Sequence, residues 1–432
     1  CGSSSHIAVQ RANAVGIDVV VTDHHRVSDT LPSAVAVVNP KRSDCTAGFE
    51  HLAGVGVAMA LLICLRKHLR ERGVWHTRSE PNLKALCDLV ALGTIADAVP
   101  LVDENRIFVT AGIEVIRSGR VRTGVIGILN TCHMSCRDVD AEDLAYKIVP
   151  RLNAAGRMDH ALLAVQLLLT ENRETAKEIA DSLDDLNNRR KDIERQILQQ
   201  IRQHLTDHPR ELNRRALVLS HEGWHEGVLG IVASRLVERH YRPVVLISTR
   251  DGTGKGSARS IFGFNLYRGL TACADQLENF GGHGMAAGLG IRPENISAFK
   301  TAFEQAAAIA SVDLVPAPEI RIDCVLGFEQ ITDQLIDEID ALQPFGSGNS
   351  QPLFMAGDVQ VIRSQIVGDR HRRMRLTQSR TGRSFRAIQF NIDPSRALPE
   401  RLKKIAFHLQ WNRWNGGKSA QMVIEEIAAT RP

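Results

Sequence analysis

The spacing of apolar residues divides the chain into an α/β part and a shorter all-β part. An apolar helical pattern at residues 8–15 ends at Gly16, and short apolar strands follow at 19–22 and 34–38. From residue 54 to 69 the apolar positions form one stripe, which is typical of an amphipathic helix. The first strand has the apolar, β-branched composition of a buried parallel strand.

Helical patterns dominate the next part of the chain. A helix around residues 83–97 ends on an acidic residue, and the helical region 141–169 is interrupted by a predicted turn at 150–157. Residues 171–205 combine many charges with a narrow apolar seam. This pattern predicts a long, mostly solvated helix that bridges two domains.

A second α/β unit begins at residue 216, with a strand, a helix at 228–237 and a strand at 244–248. The glycine-rich stretch 252–260 is predicted to be a loop whose hydrogen-bond donors contact a phosphate. It is not a Walker loop, because the glycine spacing and the strand–loop–helix order are absent. A second glycine-rich stretch, 280–288, surrounds a histidine with small residues, where a ligand or another backbone must approach closely.

The hydrophobic period changes after a predicted linker, Pro316-Ala317-Pro318. Five short alternating strands predict a small barrel of the OB type; they span residues 358–363, 373–377, 384–391, 404–411 and 420–425. Arginine and aromatic residues concentrate there: Arg363, Arg370, Arg372, Arg373, Arg375, Arg380, Arg383, Arg386, Phe385, Phe390, Trp411 and Trp414. Cations and stacking platforms suit single-stranded nucleic acid. A barrel with a charged outer face is the alternative.

Composition limits the class of protein further. A chain of 432 residues is too long for one hydrophobic core, so two or three domains are expected. The net charge of +4 does not by itself indicate nucleic acid, and no run of about 18 apolar residues predicts a membrane span. The eight cysteines show no paired framework, which fits a reducing cytosol. Cys132, His133 and Cys136 lack a second ligand pair for zinc.

Two stretches carry candidate chemistry. Asp23-His24-His25 directly follows the first strand, and open α/β sheets bind ligands at the carboxyl ends of their strands. Carboxylate oxygens and neutral imidazole nitrogens suit divalent cations, although a plain polar turn is the alternative. Further along, Arg151, Asn153 and Arg157 surround a small-residue turn at 154–156, which suits an oxyanion; a helix-turn-helix is the alternative there.

Together these motifs resemble the DHH phosphoesterase superfamily. Residues 22–25 are similar to its signature, and residues 281–288 are similar to the glycine-rich motif of the associated DHHA1 domain. Within the superfamily the chain most resembles the RecJ family of bacterial single-strand-specific exonucleases, over essentially its whole length. The supporting segments are 52–58, 91–97, 150–157 and 342–349.

The resemblance implies a multidomain α/β fold. A DHH domain with a parallel sheet, N-terminally incomplete, would span 1–170, and a connecting helix would span 171–208. A DHHA1 α/β domain would follow at 209–315. An OB-like β-barrel that binds nucleic acid would complete the chain at 316–432.

The resemblance also implies a 5′-to-3′ exonuclease that hydrolyses single-stranded DNA with two Mn²⁺ or Mg²⁺ ions, in recombination and repair. His24 and Asp97 would be metal ligands, Asp23 would be a ligand or orient an imidazole, and His25 would face the scissile phosphate. Other residues would bind DNA: Arg151, Asn153 and Arg157 the backbone, and Ser257, Arg259, Ser260, Gly282 and His283 the terminal nucleotide with its 5′-phosphate. The resemblance further implies a monomer in the bacterial cytoplasm that does not bind membranes. Its expected protein partners are a single-strand-binding protein and a helicase.

Two departures from the family pattern change the expectation. Ser350 stands where the family has proline, and an aspartate-rich first motif has no match in the chain. The chain also opens at Cys1-Gly2, immediately after the place where the family has its second-motif aspartate, so three expected metal carboxylates are absent and a truncation is predicted. This fragment is therefore expected to bind metal poorly and to have weak or no activity. The alternatives are a metal-deficient DNA-binding scaffold and a phosphoesterase for short oligonucleotides; the arginine-rich barrel argues against the latter.

Overall fold

The computed structural model describes residues 2–27, 30–250, 252–310, 319–368, 370–378, 382–395, 397–412 and 417–428. Cys1, the predicted linker at 316–318, Arg380 and Trp414 lie outside the described residues. The chain forms two compact units. The first unit takes residues 1–121, 136–145 and 320–432, and the second takes residues 122–135 and 146–319.

The α-helices are α1 (His6–Ala14), α2 (Gly54–Glu71), α3 (Cys87–Ala96), α4 (Asp103–Arg117), α5 (Thr123–Thr131), α6 (Ala141–Asp143), α7 (Val149–Met158), α8 (Leu162–Leu169), α9 (Arg173–Asp207), α10 (Glu226–His240), α11 (Leu266–Thr271), α12 (Ile296–Ala310) and α13 (Asp333–Ala341). The strands are β1 (Val20–Thr22), β2 (Ala36–Val38), β3 (Leu217–Glu222), β4 (Val244–Arg250), β5 (Thr253–Arg259), β6 (Asn279–Gly282), β7 (Ala286–Ile291), β8 (Cys324–Val325), β9 (Phe354–Val367), β10 (His371–Gln378), β11 (Ser384–Gln389), β12 (Arg401–Asn412) and β13 (Ser419–Ala428). None of these helices is both long and apolar enough to cross a membrane.

The first unit begins with a parallel pair of strands. In the register of β1 and β2, Thr22 lies opposite Val38, so the carboxyl ends of both strands meet at one edge. Val9 of α1 packs with Val21 and Val37 beneath this pair. The predicted helix–strand order and the parallel pairing are confirmed.

Helices α2, α3 and α4 pack beside one another in the same unit. The helix predicted for residues 54–69 is α2, but its predicted apolar stripe is not a buried face: Leu61, Leu62 and Leu65 are exposed, and the buried residues are Gly56, Val57 and Met59. The contact between α3 and α4 is close because residue 112 is glycine: a Cβ atom there would lie 2.2 Å from the Cys87 carbonyl oxygen. Helix α3 ends at Asp97, which is its C-terminal cap.

A closed five-stranded barrel forms the last part of the first unit. Its strands pair in the cyclic order β9, β10, β11, β13, β12 and back to β9, and β8 adds to the edge beside β9. Alternating apolar residues fill the interior, among them Leu376, Phe407 and Met422, which are fully buried. The predicted OB-type barrel is confirmed.

The second unit contains a sheet with the strand order β3, β4, β5, β7, β6. Strands β3 and β4 are parallel and the other pairs are antiparallel. Residues 253–259, predicted to be a loop, form strand β5. Its glycines permit this, because Gly254 and Gly256 lie against Ile291 and Leu289 of β7 with no room for larger side chains.

Helix α9 is the predicted long helix and spans 35 residues. Asn172 caps its first turn by accepting a hydrogen bond from Thr175 N. The helix packs against α5, α7, α8 and α10, all in the second unit. Its role as a bridge between domains stays a prediction.

The turn predicted at residues 150–157 is wrong. These residues lie in α7, where Pro150 is tolerated because the first helical turn needs no backbone donor from it. Ala154 and Ala155 are fully buried, and α7 packs against α9. The small side chains therefore serve close helix packing instead of exposing backbone amides to an anion.

Candidate metal and nucleic-acid sites

The Asp23 carboxylate organises the segment after β1. It accepts hydrogen bonds from Ser3 N (2.9 Å), His24 N (2.8 Å), His25 N (3.2 Å) and His25 Nδ1 (2.7 Å). Burial alone would raise the pKa of Asp23, but these hydrogen bonds hold it well below its usual range. Asp23 is thus a buried anion whose oxygens are occupied by protein donors.

His24 and Asp97 meet at the carboxyl end of β1. His24 Nε2 lies 3.4 Å from Asp97 Oδ2, and the His24 side chain is 12% exposed. Burial lowers the pKa of His24, against the opposing effect of the Asp97 carboxylate. The imidazole is therefore biased towards the neutral form, which is the form that ligates metals.

The pair of His24 and Asp97 fits part of a divalent-cation site. Bonds of about 2.1 Å at right angles place neighbouring ligand atoms about 3 Å apart, close to the separation of these two atoms. His24 Nδ1 is buried and has no hydrogen-bond partner in the described part of the chain. Among the same residues, no group of three or more potential His, Cys, Asp or Glu ligands converges. The described site thus supplies one nitrogen and one carboxylate ligand.

His25 projects from the same segment and is half exposed. Its Nδ1 is held by Asp23 at 2.7 Å, which fixes the ring and leaves Nε2 directed away from this hydrogen bond. Gly54, at the start of α2, lies against the neighbouring ring: a Cβ atom there would be 3.3 Å from His24 Cδ2. The two imidazoles are therefore held by different contacts.

In the second unit, the structure brings Arg157, Ser257 and Arg259 together around the first turns of α10. Arg157 Nη1 donates to the Gly227 carbonyl oxygen at 3.1 Å, and Arg259 Nη1 lies 3.3 Å from Ser257 Oγ. Burial lowers the pKa of Arg259, and the nearby Arg157 guanidinium lowers it further. Two guanidinium groups and a hydroxyl therefore meet beside the first turns of α10, and such a group of donors is suited to an anion.

Other residues predicted to bind DNA are placed differently. Arg151 is bound to Asp184 at 2.8 Å and to the Lys147 carbonyl oxygen at 2.7 Å, whereas Asn153 is exposed on α7. The Ser260 hydroxyl is buried and donates to the Phe264 carbonyl oxygen at 2.7 Å, so the structure does not support it as a phosphate ligand. Ser260 directly follows β5, a strand in the place of the expected loop.

Gly282 and His283 lie at the turn between β6 and β7. Gly282 has a φ of 144°, and a Cβ atom there would lie 2.4 Å from the Ala286 carbonyl oxygen, so glycine is required. His283 is exposed, and its backbone N donates to the same oxygen at 2.8 Å. A cavity of about 710 Å³ lies over β5, β6 and β7. Ser257 and the unpredicted ion pair of Lys255 and Glu226 are among its lining residues.

The barrel carries a row of arginines that only the strand register shows. Arg375 of β10 lies opposite Arg363 of β9 on one side and Arg386 of β11 on the other, and all three are exposed. Like charges directly opposite one another are destabilising, so an anionic partner would relieve the row. We call these three residues the arginine row.

Other members of the predicted cluster are buried or held by contacts within the protein. Arg372 is buried, and Arg383 donates to the carbonyl oxygens of Glu329 and Ile331. Trp411, expected to be a stacking platform, is buried and donates to Asp337 at 2.8 Å. The alternation of residues along β12 does not by itself tell whether Trp411 faces the barrel interior or the solvent. Phe390 is half exposed and packs edge-on against His371.

Three regions of the chain match the models of known protein domain families. Residues 1–94 match the N-terminal domain of the DHH family, residues 213–308 match the DHHA1 domain, and residues 322–426 match the RecJ OB domain. The last of these indicates binding to single-stranded DNA.

Individual relatives agree with this assignment. The single-stranded-DNA-specific exonuclease RecJ of Escherichia coli K12 is 37% identical over 99% of this chain and 76% of its own length. The crystal structure of Thermus thermophilus RecJ in complex with Mn²⁺ matches with a TM-score of 0.83 and 30% identity; it covers 100% of this chain, which spans 61% of that one. A Mg²⁺ complex from the same organism matches with a TM-score of 0.77, 29% identity and coverage of 96% and 61%.

These relatives confirm the predictions of a metal-dependent hydrolase and of Mn²⁺ or Mg²⁺ as cofactors. The chain belongs to the RecJ family of single-stranded-DNA-specific exonucleases.

Proposed function

We propose that this protein removes nucleotides from the 5′ end of single-stranded DNA by two-metal-ion hydrolysis, in recombination and repair. The observation that carries the proposal is the approach of His24 Nε2 and Asp97 Oδ2, 3.4 Å apart, at the carboxyl end of a parallel strand. Bound Mn²⁺ or Mg²⁺ would lower the pKa of the attacking water and offset charge on the phosphate. His24 and Asp97 would hold that metal.

Asp23 and His25 have supporting roles in this proposal. Because protein donors already occupy the Asp23 carboxylate, it orients His25 and the backbone of residues 24–25. His25 Nε2 would then face an oxygen of the scissile phosphate; because Nδ1 donates to Asp23, Nε2 would donate to that oxygen when both ring nitrogens carry a proton. Because Asp23 already fixes the orientation of the His25 ring, this contact would form without a change of side-chain rotamer.

Arg157, Ser257 and Arg259 would bind the 5′-phosphate. A terminal phosphate carries more charge than an internal diester and would meet the donors between α10 and β5, where the Arg259 guanidinium occupies the space that a side chain at residue 230 would fill. This pocket would give the enzyme its polarity. His283 and Gly282, at the turn between β6 and β7, would contact the terminal nucleotide.

The polarity can be tested on the complete product of the gene that encodes this chain. With Mn²⁺, a single-stranded oligonucleotide labelled at its 5′ end should release labelled mononucleotide at once, whereas a 3′ label should appear last. A blunt duplex of the same sequence should be degraded much more slowly. First release of the 3′ label would contradict the proposed polarity, and equal rates on duplex would contradict strand selectivity.

The arginine row would bind the part of the DNA strand that has not yet reached the site of hydrolysis. Replacing Arg363, Arg375 and Arg386 together by alanine should weaken binding of a 30-nucleotide strand about 10- to 100-fold at moderate salt. Losing three phosphate contacts should also reduce the slope of log K against log salt by about 2. Fluorescence anisotropy at four salt concentrations would measure both quantities.

The matched control removes the same charge from β12, through alanine at Arg401, Lys403 and Lys404. If the two triple variants lose affinity equally, net charge explains binding and the row has no special role. Hydrolysis of a dinucleotide should be unchanged in both, because so short a substrate does not reach the row.

The setting also belongs to the proposal. We place the protein in the bacterial cytoplasm as a monomer, acting on strands that a helicase exposes and a single-strand-binding protein covers. Membership in a family of single-stranded-DNA-specific exonucleases supports the contact with single-stranded DNA.

A further inference from the structure

Asn39 lies at the sheet edge directly opposite the segment that carries the two histidines. It follows β2, and Asp23 N donates to Val38 O at 3.0 Å, so the ends of β1 and β2 are tied together at this point. The Asn39 side chain is only 3% exposed. No role in catalysis follows from its position in the sequence, where it precedes a proline after an apolar strand.

The Asn39 amide uses its hydrogen-bonding capacity on three partners. Its Nδ2 donates to the His25 carbonyl oxygen at 2.9 Å and to Ser3 Oγ at 3.0 Å, while its Oδ1 accepts from Lys41 N at 2.9 Å. The carbonyl oxygen of His25 can only accept, and this fixes which way the amide points.

These contacts close a ring of hydrogen bonds around Asp23. Ser3 N donates to one carboxylate oxygen of Asp23, and His25 donates to the other. Asn39 joins the two donors from the opposite side, through Ser3 Oγ and His25 O. The ring thereby fixes the backbone on both sides of His24. Within the described residues, the buried His24 Nδ1 has no hydrogen-bond partner of its own.

From this geometry we propose that Asn39 is a positioning residue for the reaction, holding the backbone of residues 23–25 so that His24 meets the metal and His25 the phosphate. The inference rests on the proposed function of that site. Asn39 does not touch either reacting group; it acts through His25 O and Ser3. Groups that orient metal ligands typically contribute 10- to 100-fold to metal affinity or activity.

Asn39→Asp tests the proposal with almost no change in shape. The new carboxylate keeps an acceptor for Lys41 N but cannot donate, and so it faces the His25 carbonyl oxygen with a lone pair. In the complete gene product, the Mn²⁺ concentration for half-maximal activity should rise about 10- to 100-fold. The kcat at saturating Mn²⁺ should fall, and the KM for single-stranded DNA should stay unchanged. Asn39→Ala should shift the same quantities and provides the test if the Asp variant does not fold.

Asn105→Asp is the matched control. Asn105 is also buried in the first unit, and its Nδ2 donates to the carbonyl oxygens of His51 and Pro100. This variant should lose thermal stability to a similar extent and keep the wild-type requirement for Mn²⁺. If the Asn39 variants, assayed well below their melting temperatures, also keep that requirement and kcat, Asn39 is structural and the inference is wrong.

A second readout separates this inference from the proposed function. Free Mn²⁺ can be followed by electron paramagnetic resonance, so its binding can be measured without hydrolysis. A wild-type protein that binds Mn²⁺ but does not cut DNA would overturn the proposed function alone. In that case, weaker Mn²⁺ binding by Asn39→Asp than by Asn105→Asp would still support the positioning role, and equal binding would overturn it.

Discussion

His24→Ala should reduce Mn²⁺-dependent hydrolysis by the complete gene product at least about 1,000-fold. A bound cation contributes several kcal/mol of transition-state stabilisation, and a factor of 1,000 corresponds to about 4 kcal/mol. Removing His24 takes away the nitrogen proposed to bind the metal, which lies 3.4 Å from the Asp97 carboxylate, and leaves Asp97 as the remaining proposed ligand. Single-turnover release of mononucleotide, measured over a range of Mn²⁺ concentrations, gives the loss directly.

His68→Ala is the control for this substitution. His68 is exposed on α2 in the same unit, and its replacement should leave the rate unchanged. Retention of a tenth or more of the wild-type rate by His24→Ala at saturating Mn²⁺ would remove His24 from the ligand set.

Arg259→Gln should abolish most of the preference for a 5′-phosphate. On 5′-phosphorylated strands, kcat/KM should fall about 100-fold, as expected when a charge-assisted contact of about 1.5–3 kcal/mol and its neighbour's alignment are lost. On 5′-hydroxyl strands it should fall only a few-fold. Gly230→Ala should have the same sign of effect, since its Cβ atom would lie 2.7 Å from Arg259 Nη2 and displace the guanidinium.

Two variants control for these effects. Arg268→Gln removes an exposed cation from α11 of the same unit and should change neither substrate's kinetics. Gly227→Ala, by contrast, would place a Cβ atom 2.2 Å from the Arg157 carbonyl oxygen, a contact with backbone that cannot rotate away, and should destabilise the fold. Equal wild-type rates on phosphorylated and hydroxyl ends would dispose of the pocket.

The sequence predicted the elements whose pattern is local. The alternation of the barrel strands follows from burial of one face, and the structure confirms it. On α2 the helix is confirmed, but the leucines of the predicted stripe are exposed. Strand ends also predicted where Asp23, His24 and His25 would lie, because parallel strands deliver their carboxyl ends to one edge.

Errors arose where neighbours distant in sequence decide the structure. Pro150 and the small residues after it look like a turn, yet α9 offers a surface on which a small-residue helix packs. The glycines of β5 look like a loop until β7 is placed beside them. Asn39 and the arginine row depend on register across strands, which no periodicity along one strand reports.

The way the two units share the chain has a consequence for synthesis on the ribosome. The first unit draws on three separate stretches, and its contacts join residues far apart: Arg106 Nη2 donates to the carbonyl oxygen of Leu342, 236 positions later. The second unit is complete once residue 319 has been made. Domains generally fold as they emerge from the ribosome, so the second unit should complete its folding before the first. Until residues 320–432 have been synthesised, the first unit stays incompletely folded and is exposed to aggregation.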